Sequence, residues 1–187
     1  MPENLKQAIR KKILTLLRNQ KEEERLKKSG KILKKLFSLP EFQRSHTILF
    51  YASFDGEVET FEMMKQAHKL KKMIALPFMI KDQKKITPRL VRNLKTGLHS
   101  GPYGIQQPKD EHVEDLTLEQ LDLVIVPGVA FDKKNYRLGR GHGYYDRFLS
   151  RLPAGVPTIG LAYDFQIVDR LPHLHEHDLP VSRVIAN

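Results

Sequence analysis

Bare backbone and fixed positive charge alternate along Arg137-Leu138-Gly139-Arg140-Gly141-His142-Gly143-Tyr144-Tyr145-Asp146. Gly139, Gly141 and Gly143 lack a Cβ, so the chain can curl and turn several N–H groups onto one ligand. Arg137 and Arg140 add planar cationic forks that match phosphate oxygens. Tyr145, Phe148, Leu149 and Leu152 predict an amphipathic helix whose positive end points at the same place. Asp146 lies one turn into it, placed to hold a metal that offsets phosphate charge. The chemistry of this stretch is anion binding. A solvated Gly/Arg turn has the same composition, however, and neither GxxxxGK[ST] nor a GxGxxG closing a first strand is present. Spacing therefore argues for an anion site but cannot name the anion.

The elements that must position this stretch alternate in type. Leu123–Val126 is an apolar, β-branched run closed by Pro127-Gly128, hence a buried strand. The segment with Phe131-Asp132 reads as a loop, in which Asn135 suits a left-handed turn. Upstream, Thr47–Ala52 and Met73–Pro77 are predicted buried strands flanking a helix, a parallel β–α–β unit. Ile86–Val91 reads as an edge strand, because Pro88 cannot serve an interior ladder. Pro157–Tyr163 and Val181–Ile185 complete the strands. Residues 4–18 and 21–38 predict two helices, the first capped by Asn4, with buried stripes Leu5, Ile9, Ile13, Leu16/Leu17 and Leu26, Leu33, Leu36, Phe37. Thr96–Pro108 reads as a long loop, and Glu111–Gln120 as an acidic connector ending in a helical turn. The pattern predicts a three-layer α/β fold: a mostly parallel central sheet with helices on both faces and a site at the strand ends. Asp55, Glu57 and Glu59 follow a strand and fall there. His173, His175 and His177 alternate and could ligate a metal, but a solvent-facing loop is the simpler reading.

Pro127-Gly128, Phe131-Asp132, Arg137-Leu138-Gly139-Arg140-Gly141 and Gly143-Tyr144-Tyr145-Asp146 together closely resemble the signature of the 5-formyltetrahydrofolate cyclo-ligase (methenyltetrahydrofolate synthetase) family. The resemblance extends over essentially the whole chain. It implies a relative of the NagB/RpiA-like folds. It also implies ATP- and Mg²⁺-dependent conversion of 5-formyltetrahydrofolate to 5,10-methenyltetrahydrofolate, ADP and phosphate, through a phosphorylated formyl (imidate phosphate) intermediate. Site residues carry over position by position. The triphosphate falls to Lys6, Arg10 and residues 137–145, namely Arg137, Leu138, Gly139, Arg140, Gly141, His142, Gly143, Tyr144 and Tyr145. The folate falls to Ala52, Glu57 (in an E-x-x-T context), Tyr103, and again Arg140, Gly141, His142, Gly143 and Tyr144. Magnesium falls to Asp146; Arg140 and Tyr145 are the candidate catalytic residues. On pattern alone Lys6 and Arg10 are two solvated charges sharing a helical face, and Tyr103 is equally a loop anchor. Ser182 stands where relatives often carry an Asp, a second magnesium ligand, which leaves Asp146, the phosphates and water as the expected shell.

Length and composition bound the reading. A chain of 187 residues is most simply one domain, 1–187, able to bury roughly 70% of its unfolded surface. It has no Cys, which excludes disulfides, a thiol nucleophile and thiolate metal sites and suits a reducing cytoplasm. No signal-peptide core or membrane-length apolar run is present. The net charge of +10 attracts polyanions. Aromatic residues do not interleave with the basic runs and no RNA-binding motif is present, which disfavours nucleic acid. The expected partners are 5-formyltetrahydrofolate, with or without a polyglutamate tail, and ATP; a monomer is the expected state. Two rivals stand: a sugar-phosphate isomerase or CoA-transferase-like enzyme, and a basic RNA-binding module.

Overall fold

Apolar, β-rich runs form the centre of the molecule. A computed structural model describes residues 2–80, 83–109, 114–172 and 178–187. Its strands are β1 (Thr47–Leu49), β2 (Met73–Ile80), β3 (Lys85–Leu90), β4 (Leu98–Ser100), β5 (Gln106–Pro108), β6 (Leu123–Val126), β7 (Ala130–Asp132), β8 (Arg137–Leu138), β9 (Thr158–Ala162), β10 (Ile167–Val168) and β11 (Arg183–Ala186). Six of them make the main sheet, in the order β11-β9-β6-β1-β2-β3. All neighbours are parallel except β2 and β3, where Pro77 faces Pro88 across the antiparallel edge pair. The central strands are buried on both faces, which is why β1, β6 and β9 read as continuous apolar runs.

The helices are α1 (Pro2–Arg18), α2 (Glu22–Ser38), α3 (Pro40–Arg44), α4 (Phe61–Lys69) and α5 (Tyr144–Leu149). Their distribution is lopsided. Side chains of α1 to α4 pack with Ile48, Ile74, Leu123, Ile125 and Ile159 on one face of the sheet. The other face is covered by α5, by Leu116 and Leu121, and by Phe131. Among the described residues, no helix is long and apolar enough to cross a membrane.

Several local expectations are corrected. Asn4 lies inside α1 rather than capping it. Leu5 and Leu16 are exposed, and the buried positions on α1 are Lys6, Ile13 and Leu17. On α2 the buried positions are Ser29, Ile32 and Leu36, and Leu26 faces solvent. Residues 96–108 are not a bare loop: β4 and β5 form a hairpin. The segment after β6 is not a loop either, since β7 pairs with β8 and with β10 in a second, three-stranded sheet. The connector does end in a 3-10 turn, Leu118–Gln120, but its residues 111–113 lie outside the described residues, as does the His173–His177 run.

The turn after β1 is built against α1. Phe54, Asp55, Gly56 and Glu57 close on a Glu57 N–H to Phe54 C=O bond of 3.1 Å, with φ of 51° at Asp55 and 82° at Gly56. A Cβ on Gly56 would lie 2.2 Å from the Leu17 carbonyl oxygen. Strain and clash act together there. Gly56→Ala is therefore expected to destabilise the fold by about 2 kcal/mol or more. In a thermal melt that is a drop in Tm of roughly 4–8 °C; an unchanged Tm would show that α1 yields freely.

Candidate active site

The carboxyl ends of β1 and β6 open into a cavity of about 210 Å³. Parallel strands gather their following loops at one edge, so residues far apart in sequence meet there. Tyr51, Ala52 and Glu57 come from the end of β1 and its turn, and Pro127 and Gly128 from the end of β6. The Gly-rich segment supplies Gly139, Arg140, His142 and Gly143, and α5 supplies Tyr144, Tyr145 and Asp146. The β4–β5 hairpin contributes Tyr103, at its tip in a left-handed conformation (φ 61°). The Tyr103 ring is about half exposed and sits 4.7 Å from the His142 ring, at a tilt of 43°.

Gly141 (φ 99°) and Gly143 (φ 68°) both take left-handed backbone, a conformation costly for other residues. Gly143 caps α5 from that state. With only six residues, α5 contributes a short dipole, so anion binding here would rest mainly on the loop N–H groups and the neighbouring cations.

Each arginine of the segment already has a carboxylate. Arg137, whose side chain is 5% exposed, donates to Asp146 Oδ1 at 2.5 Å and to the Pro127 carbonyl at 3.3 Å. Arg140 donates from Nη1 to Asp55 at 2.9 Å and from Nη2 to Glu57 at 3.1 Å, with its guanidinium 4.2 Å over the Phe54 ring. Arg140 is thus not a free solvent-facing fork but a mostly buried bridge between two carboxylates. Arg10 donates from Nε to the Gly139 carbonyl at 3.0 Å, which ties α1 to the Gly-rich segment. Lys6, one turn earlier, is buried and 3.8 Å from Asp178. The structure therefore brings Lys6 and Arg10 to the face of α1 that holds this segment, although neither is in the cavity wall. Leu138 is buried in β8 behind it.

The three candidate carboxylates divide. Glu59 accepts from the Phe61 and Glu62 N–H groups at 2.8 and 3.0 Å and so caps α4. Asp55 lies between Arg18 and Arg140, and the Arg18 hydrogen bond, first among several influences, holds its carboxyl below the usual range. Glu57 is buried in the cavity wall. Loss of hydration pushes its carboxyl up to about 7, against the opposing pull of Arg140. Burial likewise raises the Tyr145 hydroxyl. Among the described residues, Tyr145 Oη and Arg137 Nε are buried polar atoms without a hydrogen-bond partner, and both residues line the cavity. Such atoms are costly unless something polar meets them.

Ser182 falls elsewhere. It precedes β11, at the amino ends of the parallel strands, where its hydroxyl pairs with the Thr158 N–H at 3.0 Å. The cavity is at the opposite end of the sheet, so the position of Ser182 does not bear on metal binding beside Asp146. Among the described residues, no group of three or more His, Asp or Glu side chains is gathered for a metal.

Sequence reasoning missed Tyr51, Phe54, Pro77, Met79 and Ile105 in the wall. Tyr51 was open to inference as the neighbour of Ala52 at a strand end. Ile105 lies in the Tyr103–Pro108 segment, which resembles an aromatic-Gly/Asn-Ile-x-x-Pro pattern of the family, whereas Met79 carries no signal beyond being apolar.

Comparison with known proteins converges on one family. The model of the 5-formyltetrahydrofolate cyclo-ligase family matches residues 2–187. The chain is 32% identical over 188 residues to the 5-formyltetrahydrofolate cyclo-ligase of Mus musculus, covering 96% of this chain and 92% of that protein. It is 31% identical over 153 residues to the enzyme of that name from Escherichia coli K12, covering 81% and 84%. Among solved structures it resembles the 5,10-methenyltetrahydrofolate synthetase of Aquifex aeolicus, with a TM-score of 0.84 and 37% identity over 97% of this chain and 89% of that one. The synthetase of Mycoplasma pneumoniae superposes with a TM-score of 0.76 and 29% identity, over 96% and 97%.

Proposed function

Because the chain belongs to the 5-formyltetrahydrofolate cyclo-ligase family, we propose that it converts 5-formyltetrahydrofolate to 5,10-methenyltetrahydrofolate at the expense of ATP, with magnesium, in a reducing cytoplasm. The observation that carries the reading is the bridge across the cavity wall: Glu57 from one half of the chain and Arg140 from the Gly-rich segment of the other, hydrogen-bonded to each other.

The reaction needs alignment more than covalent catalysis. The formyl oxygen attacks the γ-phosphorus and ADP leaves. The carbon of the resulting imidate phosphate is electrophilic, and N10 attacks it, loses its proton and closes the ring. Phosphate departs with the former formyl oxygen. Lys6, Arg10, Arg137 and Arg140 compensate the triphosphate charge, and the N–H groups of residues 139–145 cradle it. Arg137 and Arg140 meet the phosphates from defined positions because carboxylates and an aromatic face already fix them. Glu57 orients the folate, Ala52 leaves it room, and Tyr103 with His142 offers flat surface at the mouth. Tyr144 and Tyr145 wall the junction between the two substrates, and the unpartnered Tyr145 hydroxyl is a donor for an oxygen there.

Magnesium fits this donor set. Asp146 gives one oxygen to Arg137 and keeps the other, on a side chain 40% exposed. A cation that keeps much of its water and rides on phosphate oxygens needs little more. When bound, it offsets phosphate charge.

The test is to incubate the protein with 5-formyltetrahydrofolate, ATP and Mg²⁺ and follow the ultraviolet absorbance of the methenyl product. Product that needs ATP and disappears with EDTA is the expected outcome. A sugar-phosphate isomerase or transferase would use a glutamate that titrates near neutrality, as Glu57 does, but without ATP. Absence of methenyl product with folded protein would favour that rival.

A further inference from the structure

Arg18 and Asp55 do not line the cavity, yet Asp55 touches Arg140 and Arg18 holds Asp55. Asp55 Oδ1 accepts from Arg18 Nε at 2.8 Å. Asp55 Oδ2 is shared, accepting from Arg18 Nη2 at 2.9 Å and from Arg140 Nη1 at 2.9 Å. Arg140 then passes to Glu57. Four charges alternate in sign from the last turn of α1 to the cavity wall.

We propose that Arg18 and Asp55 are positioning residues: Arg18 fixes the Asp55 carboxylate, and Asp55 fixes the Arg140 guanidinium in the cavity wall beside Glu57. The proposal rests on the functional reading above for its kinetic consequences and on geometry for the rest.

The geometry is specific. Asp55 and Glu57 are alternate residues of one turn, so their carboxylates meet two edges of a single guanidinium while Phe54 covers its face. That leaves Arg140 little rotational freedom. Arg18 alone is an exposed surface cation, and an isolated pair of that kind contributes little. Here it has another effect. It saturates one Asp55 oxygen and half of the other, which sets the Asp55 rotamer and leaves Arg140 with charge to present to an anion. Gln20, two residues beyond α1, helps by donating to the Gly56 carbonyl at 3.3 Å, so Arg18 and Gln20 together hold the two central residues of the turn, Asp55 and Gly56.

The same arrangement tunes Glu57. The groups facing its carboxyl are Arg140 from the Gly-rich segment, Asp55 on its own turn with Arg18 behind it, and the hydroxyls of Tyr51 and Tyr145, while the Tyr163 hydroxyl donates to its backbone carbonyl. Asp55 raises the Glu57 carboxyl and Arg140 lowers it. Removing the Asp55 charge takes away the like charge and leaves Arg140 wholly to Glu57, so the Glu57 carboxyl must move down.

The test uses Asp55→Asn, Arg18→Met, the double variant and Arg18→Lys. Asn tolerates the left-handed conformation at position 55 as Asp does. In the methenyl assay, Asp55→Asn is expected to lower kcat/KM about tenfold, mainly through kcat, and to move the acid limb of the pH profile to lower pH. Arg18→Met is expected to cost about threefold. The double variant should be no worse than Asp55→Asn alone, because Arg18 acts only through Asp55, and Arg18→Lys should recover most of the loss. Additive losses, or an unmoved acid limb in Asp55→Asn, would overturn the proposal. A readout independent of turnover accompanies these: NMR of the Arg140 Nε–H signal in substrate-free protein, assigned by its absence in Arg140→Lys. An ordered signal in wild type that broadens in both single variants supports the chain of contacts, and one unaffected by either refutes it. If wild type itself yields no product, the reaction assignment fails while the NMR arm still decides the positioning.

Discussion

Arg140→Ala is expected to lower kcat/KM in the methenyl assay by about 10³-fold, the scale of removing a preorganised cation from phosphoryl transfer. Two losses combine. The triphosphate loses a fork held in place by Asp55, Glu57 and Phe54. Glu57 loses the cation that opposes its desolvation, so its carboxyl rises further and it holds its proton at assay pH. Residual activity should therefore recover at higher pH than in wild type. The fold should survive, since a buried carboxyl that takes up a proton avoids most of the cost of an unpaired charge. Turnover at the wild-type level would remove Arg140 from the site, and loss of the cooperative melt would show that its bridge is chiefly structural.

Glu57→Gln trades activity for stability in a pH-dependent way. Activity is expected to fall about 10²-fold, because the amide cannot serve as an anionic acceptor for the folate, and the acid limb near pH 7 should vanish. Stability runs the other way. The folded Glu57 carboxyl titrates at about 7 against an ordinary 4.5. The folded state thus binds this proton more tightly than the unfolded chain does. That contribution is complete below about pH 4.5 and is lost as pH rises through 7. Glutamine is neutral throughout. Relative to wild type, the variant should be about equally stable at pH 4 and more stable at pH 8, by up to about 3 kcal/mol. Denaturant titrations at the two pH values check this; a variant less stable than wild type at pH 8 would mean that the Glu57–Arg140 pair outweighs the desolvation.

What could be read from the sequence follows from the range of the forces involved. The strands of the main sheet were legible because β1, β6 and β9 are buried on both faces and need unbroken apolar runs. β7 and β8 were not, because three- and two-residue strands carry no period and exist only through pairing. On α1 a stripe was expected at Leu5, Ile9, Ile13 and Leu16 or Leu17. Ile9, Ile13 and Leu17 do turn inward, but so do Lys6 and Arg10, whose helical spacing is equally good and which an apolar criterion passes over because they are cationic. The Gly-rich segment and Glu57 were legible as candidates from residue type and from resemblance. Their connection through Arg140 was not, since a contact between residues 57 and 140 depends on strand order. Asp55 was correctly placed at the strand end, but its partner Arg18 reads in sequence as one more surface cation at a helix terminus.

The order of the central sheet also bears on how the molecule assembles. β1, β2 and β3 are adjacent in sequence and in space and can pair early, with short loops to close. β1 meets β6 only across the intervening hairpin and connector, and β9 and β11 extend the sheet from that seam. The seam between β1 and β6 is where Glu57 finds Arg140. A refolding chain can therefore regain most of its helices and half of its sheet while its cavity has only one wall. On that topology the Glu57–Arg140 pair is expected to form late in refolding, after the local pairing of β1, β2 and β3.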